Sequence, residues 1–117
     1  MKELTKAEEQ IMQALWKIEQ GFAKDIIEAI EGNQPAYNTV LTMLRILVEK
    51  EFVSYETFGK AFRYTPIYSK EVYSKFRLDG LKSNYFEGSS ANMLSFLIKE
   101  EKMNLKDLEE IIKNFKK

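Results

Sequence analysis

The sequence predicts a mainly α-helical chain with one small β-hairpin, and three observations predict it. Apolar residues recur at spacings of three and four over most of the chain, the mark of helices that bury one face. From Phe52 to Ile67 the period drops to two around a Gly59-Lys60 pair, as in a tight hairpin. After Tyr68 the helical period returns and holds to the end. The expected architecture is an N-terminal domain over residues 1–68, three helices and the hairpin, then a helical region over 69–117.

Each element has its own signal. Thr5 with Glu8 three residues later is a capping box, so the first helix should begin at Lys6. Ile11, Leu15 and Ile18 form its apolar face, Met12 and Trp16 lie alongside, and Gly21 is placed to cap its C-terminus. Phe22, the position for a one-residue strand against the hairpin, leads into a short second helix over about 24–31, with Ile26, Ile27 and Ile30 inward. Gly32, Asn33 and Pro35 break it. The third helix, about 36–50, gathers Val40, Met43, Leu44, Leu47 and Val48 on one side and Asn38, Leu41, Thr42, Arg45 and Glu49 on the other. Ser69 or Ser74 opens a fourth helix to about Phe86, Gly88-Ser89-Ser90 separates it from a fifth over 91–100, and Asn104 caps the last.

Composition removes much of the enzyme repertoire. The chain has neither cysteine nor histidine, which leaves no disulfide, no imidazole or thiol chemistry and no zinc site of the common kind. The pairs Glu8-Glu9, Glu100-Glu101 and Glu109-Glu110 read as solvated helix faces, because adjacent helical residues diverge by about 100°. No cofactor, metal site, catalytic group or small-molecule substrate is therefore expected. The charged N-terminus is unlike a signal peptide, and the most apolar run, Met93 to Ile98, is far short of the ~20 residues of a membrane span. A cytoplasmic protein is the expectation. Net charge is zero, with residues 1–68 at −2 and residues 69–117 at +2, so any affinity for polyanions depends on local placement of few cations.

Two helices, a third with a small-polar outer face and then a hairpin is the order of a winged helix-turn-helix. On that reading Asn38, Thr42 and Arg45 face a DNA groove, and Leu41 either touches thymine methyls or packs against a neighbouring helix. Lys60 and Arg63, the hairpin cations, suit phosphate or minor-groove contact. The helical tail carries more apolar surface than so short a segment can bury, from Phe76, Leu81 and Tyr85 through Leu94 and Leu97 to Leu105, Leu108, Ile112 and Phe115. A second copy of the chain, related by a two-fold axis, is the expected cover.

The stretches LTKAEEQIMQALWKIEQGFAKDIIEAI and AYNTVLTMLRILVEKEFV, the aromatic hairpin and YSKEVY together resemble the penicillinase-repressor family, over about residues 4–117. The most specific parts are Thr39-Val40-Leu41-Thr42 with Leu47 to Phe52, and the pattern from Glu8 to Trp16. That resemblance implies a winged-helix domain, a C-terminal three-helix dimerisation domain and repression by a homodimer on palindromic operator DNA. Carried onto this chain, Asn38, Thr39 and Thr42 fall at recognition-helix contacts, Lys24 at the start of the helix crossing the backbone and Lys60 in the wing. Tyr37, Leu41, Arg45 and Arg63 complete the expected DNA-binding set.

Three departures bear on function. Leu41 and Ile46 stand where many relatives carry a basic residue, with Arg45 able to supply charge. The cysteine-rich metal motif of the copper-responsive branch is absent. The Asn-Phe bond at which a membrane-bound sensor protease inactivates the β-lactam-responsive branch corresponds here to Ser95-Phe96. A competing reading, motivated by zero net charge and by Leu41, is a winged-helix protein-interaction module without DNA binding, with Leu41, Tyr37 and the hairpin aromatics in a protein interface.

Overall fold

The computed structural model describes residues 1–116; Lys117, the last residue of the expected helical domain, lies outside them. Six helices and three strands follow in the order α1 (Lys6–Ile18), β1 (Gly21–Phe22), α2 (Ala23–Ala29), α3 (Tyr37–Glu49), β2 (Val53–Phe58), β3 (Ala61–Pro66), α4 (Lys70–Tyr85), α5 (Ser90–Glu100) and α6 (Leu105–Phe115). The chain divides into two compact units, Met1–Phe76 and Arg77–Lys117.

In the first unit the capping box of α1 closes as its residues predict. The Glu8 amide donates to Thr5 Oγ1 at 3.2 Å, and the Thr5 amide donates to Glu8 Oε1 at 2.8 Å. Glu8 is nevertheless not on a solvated face. It is 3% exposed and both its oxygens accept from Lys50 Nζ, at 3.0 and 2.8 Å. The Lys50 partner lies 42 residues away, beyond the reach of any local pattern.

Gly21 also differs from expectation. Glu19, with φ of 71°, ends α1 in the left-handed region, and Gly21 belongs to β1. Its role is close approach: a Cβ there would lie 2.8 Å from Ile18 Cδ1 and 3.0 Å from Asp25 Cβ.

The sheet has the order β1-β3-β2, antiparallel throughout. Gly59, at φ of 62°, makes the two-residue turn with Lys60 between Phe58 and its partner Ala61. Ile11, Met12 and Leu15 of α1, Ile26 of α2, Val40, Leu44 and Leu47 of α3, and Phe52 and Val53 form the innermost core. This is a winged-helix arrangement, in which α3 rests on α1 and α2 through one apolar face and the hairpin folds up beside it.

The first unit extends past Tyr68 for a physical reason. Trp16 Nε1 donates to the Tyr68 carbonyl at 2.9 Å. The buried Tyr73 hydroxyl accepts from the Leu4 amide at 2.9 Å and donates to Glu9 Oε2 at 3.0 Å. Phe76 packs at the core's edge with its ring 6.0 Å from that of Tyr73. Phe76 thus serves the N-terminal core, where the sequence reading assigned it to dimerisation. Ser69 rather than Ser74 caps α4, its Oγ accepting from the Val72 amide at 3.1 Å.

Within the second unit, Ser89 and Asn104 cap α5 and α6, accepting from Asn92 and Asp107 amides at 3.0 and 2.8 Å. Phe86 and Phe96 stack at 5.3 Å. No residue of α5 or of the described α6 is buried. Leu81, Tyr85, Leu94, Leu97, Leu105 and Ile112 are exposed, Phe115 is 90% exposed, and Leu108 is half-buried.

Candidate nucleic-acid interface

The outward face of α3 follows from its inward one. Because Val40, Leu44 and Leu47 are buried, the helical period turns Asn38, Thr42 and Arg45 to solvent, and all three are exposed. Thr39 is exposed too, and Tyr37, in the first turn, is 55% exposed. Thr42 Oγ1 donates to the Asn38 carbonyl at 3.0 Å. This occupies its hydrogen and leaves its oxygen as an acceptor and its methyl group facing outward chemistry. Leu41 is half-buried and packs against the core, so the apolar residue on the wet face is partly a structural one.

Beside this face, α3, the start of α2 and the sheet enclose a groove of about 650 Å³. Its walls include Lys24 of α2, Tyr37, Leu41 and Arg45 of α3, Lys60 of the turn, and Tyr55, Phe62 and Tyr64 of the sheet. The strand register explains the aromatic wall: Tyr55 pairs with Tyr64 and Thr57 with Phe62, so alternation puts these side chains on one face. Their rings pack at 4.6 Å (Tyr55–Phe62) and 6.3 Å (Tyr55–Tyr64). Three cations line the groove against one acid, Glu49. Burial, reinforced by neighbouring Tyr37 and Tyr55, pushes the Tyr64 hydroxyl above its ordinary ionisation range, and Arg45 partly opposes that.

Of the residues expected to touch DNA, Lys24, Tyr37, Leu41, Arg45 and Lys60 converge on this groove, while Asn38, Thr39 and Thr42 stay on the open face of α3. Arg63 does not join them. It alternates to the opposite face of the sheet, where Nη2 meets Glu56 Oε1 at 3.2 Å and the guanidinium lies 4.7 Å from the Phe58 ring centre. Tyr55, Phe62 and Tyr64 figured in the sequence reading only among the hairpin aromatics of a protein interface, not with the expected DNA-binding residues. Their shared parity in the hairpin was visible there, but not which face α3 would meet.

Ser95 and Phe96 are exposed on the middle of α5. Among the described residues no group of three or more His, Cys, Asp or Glu could hold a metal ion, and no helix is long and apolar enough to cross a membrane.

A solved structure titled "CopR Repressor Structure" matches at 29% identity with a TM-score of 0.45, covering 58% of this chain and 100% of that one. No curated protein matches. The family model described as Penicillinase repressor matches residues 4–117. With a match over nearly its whole length, the chain belongs to the penicillinase repressor family, whose members are transcriptional repressors and not enzymes.

Proposed function

We propose that this repressor acts as a homodimer that binds palindromic operator DNA, inserting α3 of each protomer into the major groove. Asn38, Thr39, Thr42 and Arg45 meet base edges, with Leu41 offering its outer edge to a thymine methyl. Lys24 and Lys60 hold phosphates. Arg63 is left to brace the hairpin. The observation that carries this reading is the convergence of Lys24, Arg45 and Lys60 on one groove beside the exposed face of α3. A protein-interaction module has no need of that positive strip, whereas a phosphate backbone does.

Dimerisation belongs to the helical region from about residue 69 onward, principally to its second unit. There Leu94, Leu97, Leu105, Ile112 and Phe115 lie exposed, and apolar surface of that extent marks an interface. Each half-site then lies one helical turn, or a multiple of roughly 34–36 Å, from its twin. Relief by cleavage at Ser95-Phe96 by a membrane-bound sensor protease fits the same scheme. It requires local unwinding, since the bond lies within α5.

The test is binding of the purified protein to its own promoter region and to random duplex at several salt concentrations. Preference for the promoter, with a footprint of two related half-sites, is expected. A folded dimer with no preference would refute the reading.

A further inference from the structure

The groove between α3 and the sheet holds hydroxyl chemistry that the base-reading face does not use. Tyr64 is 5% exposed and lines the groove, yet among the described residues no protein group hydrogen-bonds its hydroxyl. The hydroxyl oxygen itself is not shut off from solvent, so it can take up a ligand that enters the groove. The hydroxyl is also kept as a neutral donor, because its ionisation is pushed up and not down. Tyr37, Tyr55 and Arg45 act on it electrostatically, and Lys24 and Lys60 line the same groove.

A neutral O–H donor that shares one groove with Lys24, Arg45 and Lys60 matches an oxyanion. Asn38, Thr39 and Thr42 lie outside the groove, and Leu41 and Arg45 border it. Most of the base-reading set thus lies beside the groove, and the strand backbone next to those bases is the occupant that fits it.

Resting on the DNA-binding reading above, we propose that this groove seats one phosphodiester of the operator, with the Tyr64 hydroxyl donating to a non-bridging oxygen. Lys24 and Lys60 neutralise its charge. Tyr64 is then a backbone-binding residue that fixes the register of α3 and carries no sequence information itself.

The experiment compares the full-length protein with Tyr64→Phe on operator and random duplex across a salt series. The variant keeps the ring and loses a hydroxyl that bonds nothing within the protein, so its melting temperature should match that of the parent. Affinity should fall about tenfold per protomer, roughly a hundredfold for the dimer, on both DNAs, the scale of one hydrogen bond to a charged group in each half-site. The salt slope should not change, because a neutral donor displaces no counterion. Lys60→Gln should lower that slope by about 0.9 per protomer. On operators with single methylphosphonate replacements, one position per half-site should abolish the difference between Tyr64→Phe and the parent.

Unchanged affinity of Tyr64→Phe, a loss confined to one base pair, or a lowered slope would each overturn the assignment while leaving operator binding intact. Failure of the parent protein to bind DNA would instead remove the reading beneath it.

Discussion

Replacing Glu8 by Gln tests whether α3 is held in place by a buried ion pair. Glu8 is 3% exposed and accepts from Lys50 Nζ at 2.8 and 3.0 Å and from the Thr5 amide at 2.8 Å. Lys50 caps the C-terminus of α3, so the pair ties the end of α3 to the start of α1. Gln retains an oxygen for the Thr5 amide but turns an amide toward an ammonium. Breaking a fully buried pair costs about 3–5 kcal/mol, and an exposed one contributes about 0–1 kcal/mol. The Lys50 side chain is 29% exposed and can swing toward water, which places the cost near 2 kcal/mol. For a unit of this size that lowers the melting temperature by roughly 10 °C.

The pH dependence adds a second constraint on the same pair. Burial alone would raise the Glu8 pKa, but Lys50 and the Thr5 bonds outweigh it and hold the carboxyl below its ordinary 4.5. A depressed acid stabilises above its unfolded value and loses that contribution as pH falls through its folded one. In thermal melts followed by circular dichroism, parent and variant should differ most near neutral pH and converge well below pH 4.5. Equal melting temperatures at neutral pH, or a gap that persists undiminished in acid, would refute the reasoning.

Three further outcomes follow from the same geometry. Arg45→Ala should relax sequence preference at one operator position with a loss of ~1–3 kcal/mol; in a binding-site selection, a loss uniform over all sequences would reassign Arg45 to phosphate. Ile112→Asp should convert the dimer to monomer by sedimentation, because a two-fold interface repeats the change and each lost side chain is worth about 1.5–3 kcal/mol. The dimer's log-affinity against log-salt slope should be about −4 to −5, and a slope near zero would exclude backbone binding.

What the residues alone disclosed was set by distance along the chain. The capping box at Thr5 and Glu8, the turn at Gly59-Lys60 and the cap Asn104 act within three or four residues, and local patterns report them faithfully. The inward face of α3 was readable for the same reason, since one helical period decides it. The Glu8–Lys50 pair was not, and Glu8 looked solvated until α3 brought Lys50 to it. Tyr73 and Phe76 were assigned to the tail by sequence position, although their rings complete the core around Trp16 and Phe52. Arg63 and Tyr64 are neighbours in sequence with opposite fates, because strand parity separates them and only the packing of the sheet says which side faces α3.

A chain with no net charge can bind a polyanion if enough of its acids are occupied elsewhere, and four of those in the N-terminal unit are. Glu8 is neutralised by Lys50, Glu56 by Arg63 across the hairpin and Glu31 by Lys17 on the exposed surface. Asp25 accepts the Phe22 amide at the start of α2. Each of the three ion pairs also occupies a cation, which is why Arg63, Lys50 and Lys17 add little to the field at the groove. Lys24, Arg45 and Lys60 remain opposite Glu49. In the proposed dimer two or three cations per protomer would neutralise about four to six phosphates and yield the shallow slope given above. The sequence-independent attraction is accordingly weak, so discrimination between operator and random DNA must come from the exposed face of α3.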